Sequence, residues 1–332
     1  MNEQSSTSVT ELLSWLPVDA IIRDGKPAIE WLNVGDASFS EPFFHETIAR
    51  IKREQNPQSV ITGFDSLLQL EKTADYVAPS AFIFHSSRCG STLLANACRT
   101  LDHSLVISEA QVLDKIASRL FTDAEPGSPK EMLYLLFLRA AVSALGQRRR
   151  QDEQHYFVKF ACTTTLQMAR IRSIWPNVPF VFLYRDPVEI IVSNLKRMPE
   201  WMQPDSNPAT AAAIVGVDMD DLSSLSAEEF CARALRRFFD AALTNKTSTV
   251  LVNYSELTFT KIIEVLNYCE MTLTPAEVDA VEKVSRLYSK DVNGRQAFSA
   301  DAVSKRASAS DLVIEMADKW ARSSYENLEK SE

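Results

Sequence analysis

Five short apolar runs constrain this chain more than any other feature: residues 81–84, 105–107, 156–160, 180–184 and 249–252. None alternates cleanly between apolar and polar residues, so none reads as a strand with one wet face. Runs of this kind suit strands buried on both faces. Stretches of helical pattern separate them, which leaves room for the crossover connections that join parallel strands. The expected fold class is therefore α/β, with a mainly parallel central sheet.

The part before this alternation has its own character. Residues 1–10 are polar and read as a loose tail. Asp24-Gly25 lies between the apolar runs 20–22 and 28–32, the short-range signal of a β-hairpin. Glu41-Pro42-Phe43-Phe44-His45 leads into a helix expected to reach Arg53. The expected division is an N-terminal extension over 1–75, with hairpin and helix, and a P-loop-type domain over 76–332. Within the latter, Ser128-Pro129-Lys130-Glu131, Ser226 with Glu229, and Thr274-Pro275-Ala276-Glu277 carry capping-box chemistry at helix starts. The third of these opens a helix expected to reach about Tyr288. The run 134–145 reads as a buried core helix. Residues 198–226, with Pro199, Pro204, Pro208 and the acids Asp218, Asp220 and Asp221, read as an irregular insertion or lid.

Charge and cysteine content exclude several functions. A net charge of −9 argues against sequence-blind nucleic-acid binding, which needs a basic face. It leaves room for a local cationic pocket. The five cysteines, Cys89, Cys98, Cys162, Cys231 and Cys269, include no C-x-x-C pair. Reduced, mostly buried thiols in a cytoplasmic protein are expected, without disulfide framework or zinc site. The four histidines, His45, His85, His103 and His155, show no ligand spacing, so no metal is expected. The N-terminus carries no secretory signal core, and no stretch approaches the ~18 apolar residues of a membrane span. The run Arg148-Arg149-Arg150 reads as a solvated, dipole-favoured helix end.

Two segments carry chemistry. The run Ala81-Phe82-Ile83-Phe84 enters His85-Ser86-Ser87-Arg88-Cys89-Gly90-Ser91-Thr92, and a helical pattern begins at Leu93. A strand, a tight hydroxyl-rich turn and a helix form an anion site, because the amides of the first helical turn point out of the helix and its dipole favours negative charge. Gly90 permits close backbone approach, in a chain with only eight glycines. The nucleotide-triphosphatase loop G-x-x-x-x-G-K-[ST] is not matched: His85 stands at its first glycine and Ser91 at its lysine. The second segment is Phe180-Val181-Phe182-Leu183-Tyr184 followed by Arg185-Asp186-Pro187 and a helical pattern containing Ser193. An arginine at the end of a central strand can face the ligand crevice of an α/β sheet. It can equally pair with Asp186 or another acid.

Together these segments resemble the PAPS-dependent sulfotransferases, enzymes that use 3′-phosphoadenosine 5′-phosphosulfate. Arg88-Cys89-Gly90-Ser91-Thr92-Leu93 is similar to that family's 5′-phosphosulfate loop, and Arg185-Asp186-Pro187 through Ser193 to its 3′-phosphate motif. Lys159 on the strand run, Tyr254-Ser255-Glu256-Leu257 after the last run, and the stretch from Ser289-Lys290-Asp291 to Lys305-Arg306 extend the likeness over about residues 80–326. The resemblance implies a three-layer fold with about five strands. It also implies sulfuryl transfer from PAPS, leaving PAP, to a hydroxyl-bearing acceptor. Arg88 and Lys159 would stabilise the leaving group. Arg185 and Ser193 would hold the 3′-phosphate, and Lys305 and Arg306 would lie in the late loop over the nucleotide. Many members carry a base histidine two residues after the strand lysine, where this chain has Ala161. Others use a glutamate after the second strand, and Glu109 fills that place. His85 and His103 are weaker rivals for the base. A P-loop kinase using ATP and a non-catalytic nucleotide-binding protein are the alternatives. The acceptor, a small molecule, lipid or sugar, would meet the insertion or the extension, with Trp201, Met202 and Phe44 as candidate lining residues. Nothing in the pattern specifies an oligomeric state.

Overall fold

Asp24 and Gly25 both take left-handed backbone, at φ 51° and 73°, and this pair turns β1 (Trp15–Arg23) into β2 (Lys26–Asn33). Two successive residues with positive φ make the tight turn whose twist matches paired strands, and Asp-Gly is a favoured pair for it. In the computed structural model, which describes residues 9–286 and 302–331, α1 (Phe44–Gln55) follows the hairpin. Then β3 (Ser59–Gly63) returns antiparallel along β2, from Leu32 opposite Ser59 to Ala28 opposite Gly63. The sequence pattern did not reveal β3, whose residues are only partly buried. The helix α2 (Asp65–Glu71) ends this region.

Each of the five apolar runs is a strand, with ends that differ by at most one residue from the run. The order along the chain is β4 (Ala81–His85), α3 (Ser91–Arg99), β5 (Ser104–Ser108), α4 (Gln111–Thr122), α5 (Pro129–Leu145) and β6 (His155–Lys159). Next come α6 (Met168–Ile174), β7 (Phe180–Tyr184), α7 (Pro187–Lys196), α8 (Pro208–Val215), α9 (Ala227–Thr244) and β8 (Thr249–Asn253). The described chain closes with α10 (Phe259–Tyr268), α11 (Pro275–Ser285), α12 (Ala302–Ala307), α13 (Asp311–Met316), a π-turn over Ala317–Ala321 and α14 (Arg322–Glu329). The strands form a five-stranded parallel sheet in the order β5-β6-β4-β7-β8. The fold is α/β, as the apolar runs require. Later strands flank β4 on both sides, and ligand crevices of α/β sheets form beyond the carboxyl ends of strands at such reversals of order.

The chain divides into two compact units, residues 1–80 with 102–158, and 81–101 with 159–332. In the first, β1, β2 and β3 form a sheet with a fully buried Trp31, whose indole N–H donates to the Thr62 hydroxyl at 2.8 Å. Glu71 at the end of α2 accepts two bonds from the Arg139 guanidinium, both 3.0 Å, and a third from Ser143 at 3.1 Å. Forked pairing of this kind fixes geometry as well as charge, and it ties α2 to α5. In the second unit, Phe82, Phe84, Phe160 and Phe180 form a buried aromatic core, with Phe84 stacked on Phe160 at 5.1 Å between centroids. The register of β4 against β7 sets Phe82 opposite Phe180 and His85 opposite Leu183.

The helix starts follow their signals in part. Thr274 and Glu277 close a full reciprocal box on α11. Ser128 accepts from the Glu131 amide, but the Glu131 carboxylate instead accepts from the Gly127 amide at 2.6 Å. Ser226 caps α9 while the Glu229 carboxylate pairs with Arg233. Described residues end at 286, so the expected extension of α11 to Tyr288 lies outside them. The stretch 198–226 is more regular than expected. Asn207 caps α8 through the Thr210 amide, Pro208 supplies its first residue, and Gly216 ends it at φ 72°. An alanine-rich run behind an asparagine cap and a first-turn proline favours helix, and here that outweighs the prolines. The Arg148–Arg150 run is not merely solvated either. Arg148 pairs with Asp75 at 3.0 Å, and the Arg149 guanidinium lies 4.2 Å from the centroid of the Phe39 ring. Among the described residues no helix is long and apolar enough to cross a membrane.

Gly25→Ala tests the hairpin. A Cβ there meets nothing within 4 Å, so only backbone strain is added. The variant should lose about 1 kcal/mol in urea unfolding, and Gly25→Asn should recover most of it.

Candidate functional site

The turn from β4 into α3 is held in an unfavourable backbone conformation. Ser87, Arg88 and Gly90 have φ of 74°, 51° and 83°. Left-handed backbone costs a non-glycine residue roughly 1–2 kcal/mol, so the surroundings must impose it at Ser87 and Arg88. The contacts that do so are specific. The Ser87 amide donates to His85 Nδ1 at 3.1 Å, and the Ser87 hydroxyl donates to Asn194 Oδ1 at 3.2 Å. Arg88 Nε donates to the same Asn194 oxygen at 3.1 Å, and its Nη2 to the Arg197 carbonyl at 2.8 Å. The Cys89 thiol donates to the Leu183 carbonyl at 3.1 Å. Thus β7 and α7 clamp the turn.

Gly90 is required twice over. Its backbone is left-handed, and a Cβ would come 2.5 Å from Leu257 Cδ2 and 3.0 Å from Tyr254 Cδ2. As the residue before α3 it has no side chain to cap the first amides of that helix. The start of α7 is different: Asp186 Oδ1 accepts from the Val188 and Glu189 amides at 2.9 and 3.3 Å. One helix start therefore carries its own carboxylate. The other is open to an external anion, where turn amides and helix dipole add. Ser91, Thr92 and Leu93 are all buried in this first turn. Burial raises the Cys89 thiol above its ordinary pKa, which argues for packing rather than nucleophilic attack.

Arg185 follows β7 and is 3% exposed. Its Nη1 donates to the Arg88 carbonyl at 3.3 Å, so the two segments singled out in the sequence meet. Its guanidinium lies 3.9 Å from the centroid of the Tyr254 ring. It pairs with Glu189, at 2.6 Å, in the first turn of α7. Asp186 instead caps α7 and receives Arg322 at 3.0 Å and Arg306 at 3.4 Å. Ser193 lies in the second turn of α7, half-buried.

Lys159 ends β6 and is 1% exposed, among the largest fully buried side chains described. Its charge is close enough to Cys89 to act on that thiol. It does not reach solvent. Lys305 and Arg306 lie on α12, where Arg306 also donates to Glu189 at 2.8 Å. The rest of the expected late loop, Ser289-Lys290-Asp291 included, lies outside the described residues. Glu109 directly follows β5 and is half-buried with φ 54°, a strained backbone for a glutamate. It belongs to the first unit, whereas the turn, Lys159, Arg185, Ser193 and Arg306 belong to the second.

The rival bases have other roles. His85 is buried, with Nδ1 occupied by the Ser87 amide. His103 precedes β5 and pairs with Asp152 at 2.9 Å on an exposed surface. The candidate acceptor residues serve packing. Met202 and Phe44 are buried, and the Trp201 ring lies 5.8 Å from Phe238. Sequence reasoning missed Asn194 and Glu189. Both are buried polar side chains on an otherwise apolar stretch of α7, and a polar residue in such a place needs partners.

No protein-family model matches this chain, and no curated protein matches it. Among solved structures, it is similar to the sulfotransferase domain from the Synechococcus PCC 7002 olefin synthase. The identity is 16% and the TM-score 0.38, over 74% of this chain and 96% of that one. A likeness that distant carries no argument about activity.

Asn194→Ala removes the acceptor shared by Ser87 and Arg88. Denaturant unfolding should show a loss of about 1–3 kcal/mol, and Asn194→Asp, which keeps a side-chain oxygen there, should lose less.

Proposed function

We propose that this chain transfers a sulfuryl group from PAPS to a hydroxyl of a small-molecule, lipid or sugar acceptor. The observation that carries the reading is the contact of Arg185 Nη1 with the Arg88 carbonyl, 3.3 Å, beside the uncapped start of α3. It joins the two segments on which the sequence resemblance rests. The turn Arg88-Cys89-Gly90-Ser91-Thr92-Leu93 would take the 5′-phosphosulfate on its amides and hydroxyls. Arg185 and Ser193 would take the 3′-phosphate, with Lys305 and Arg306 from α12. Arginine suits a phosphate because its planar fork can donate two parallel bonds.

The proposed reaction is an in-line displacement. The acceptor oxygen bonds to sulfur, the bond from sulfur to the 5′-phosphate oxygen breaks, and PAP leaves with the electron pair. Negative charge grows on the departing phosphate, where Arg88 and the wholly buried Lys159 would stabilise it. Fixed cations away from bulk water act more strongly than exposed ones. Glu109 would take the acceptor's proton.

Calorimetric titration with PAP, ADP and ATP tests the nucleotide assignment. PAP should bind more tightly than ADP, and Arg185→Ala should weaken PAP by at least about tenfold. ATP binding equal to or tighter than PAP would put the kinase alternative first. For turnover, Glu109→Gln should lose about 10²–10⁴-fold while retaining PAP binding. PAP binding without sulfuryl transfer to any hydroxyl acceptor would favour a non-catalytic protein.

A further inference from the structure

The α7 carboxylate Glu189 is 3% exposed. Its neighbours Val188, Ile190 and Ile191 are buried too. A buried carboxylate is costly unless its charge is matched, so its presence here needs an account. Helix capping does not supply one, because Asp186 already occupies the start of α7. The account lies in how its two oxygens are used. Oε2 accepts from Arg185 Nε at 2.6 Å, and Oε1 accepts from Arg306 Nε at 2.8 Å. One carboxylate thus bridges two arginines that lie 121 positions apart in the chain, at 185 and 306. Two guanidinium groups drawn that close repel each other. A shared carboxylate offsets the repulsion, and it grips each through Nε, the donor nearest its own chain.

Resting on the nucleotide reading above, we infer that Glu189 is a positioning residue that sets Arg185 and Arg306 side by side, so that one phosphate monoester can meet both. Arg306 also meets Asp186 at 3.4 Å, and Arg322 is held by Asp186 at 3.0 Å and by Asp318 at 3.1 Å, so Glu189 is the carboxylate that Arg185 and Arg306 share one oxygen apiece. Arg306 is 60% exposed. A ligand arriving from solvent can therefore reach it while Glu189 holds its base. The bridge also makes α12 part of the 3′-phosphate site through one side chain of α7.

The test is the ratio of affinities for PAP and for AMP, which differ by the 3′-phosphate alone. It is measured by calorimetry on the full chain for wild type, Glu189→Gln, Arg306→Ala and the double variant. Glutamine keeps the volume but removes the charge and replaces one of the two carboxylate oxygens with an NH2 donor, so it cannot give each arginine an oxygen of its own. Glu189→Gln should lower the PAP-to-AMP ratio by about tenfold. Arg306→Ala should lower it in the wild-type background and change it little in the Glu189→Gln background. Because Arg306 is mostly exposed, that variant keeps the test open should Glu189→Gln fold poorly. A wild-type ratio well above one that neither substitution changes overturns the inference and leaves the nucleotide reading standing. So does a parallel fall of both affinities, the mark of general structural damage. A wild-type ratio near one removes both.

Discussion

The start of α3, which no side chain caps, is the constraint on which the second unit depends. A helix begins with amides that have no partner inside it, and Gly90 brings no side chain to cap them. The fold accepts this and adds strained backbone just before it, at Ser87 and Arg88. Asn194, the Leu183 carbonyl and the Arg197 carbonyl then hold the strained turn in place. Tyr254 and Leu257 close against Gly90 from the end of β8. Parts from several distant stretches of chain are used to hold one turn in place. Strain that is held this firmly is usual where a ligand must be met without reorganisation.

Electrostatics show the same economy. The chain as a whole carries −9, yet the lysine and arginine that are fully buried among the described residues, Lys159 and Arg185, both belong to the unit that holds this turn. Asp186 and Glu189 do more than neutralise the arginines beside them. Each is fastened to more than one donor, so the arginines are spaced as well as paired. Tyr254 adds a flat face under the Arg185 guanidinium, a contact that favours a fixed plane.

The sequence made the sheet legible because strands buried on both faces cannot tolerate polar residues. The five apolar runs therefore match β4 to β8 closely. The hairpin was legible because Asp24-Gly25 satisfies a local backbone requirement. By contrast β3 has little to bury, and its residues carry no strong pattern. The helix α8 was hidden by the prolines around it, although its own cap residue was visible in hindsight. The strained turn after β4 and the buried Arg185 stood out because the residue types that mark them are local. Asn194 and Glu189 could not be assigned roles, since their partners lie as far as 107 and 117 positions away. For Trp201, Met202 and Phe44 the sequence allowed both a lining role and buried packing. Only the packing around them separates a lining residue from a core one.

The interleaving of the two units governs the order in which they can form during synthesis. Residues 81–101 leave the ribosome before residues 102–158, which complete the first unit. That unit can close once residue 158 has emerged. Meanwhile β4 has been made, but its pairing with β7 must wait for residues 180–184, and β7 in turn waits for β8 at 249–253. Until β7 is made, β4 keeps an unpaired apolar edge, an aggregation risk of the kind that parallel sheets carry. Slowing synthesis at any point between residues 85 and 184 would lengthen that exposure.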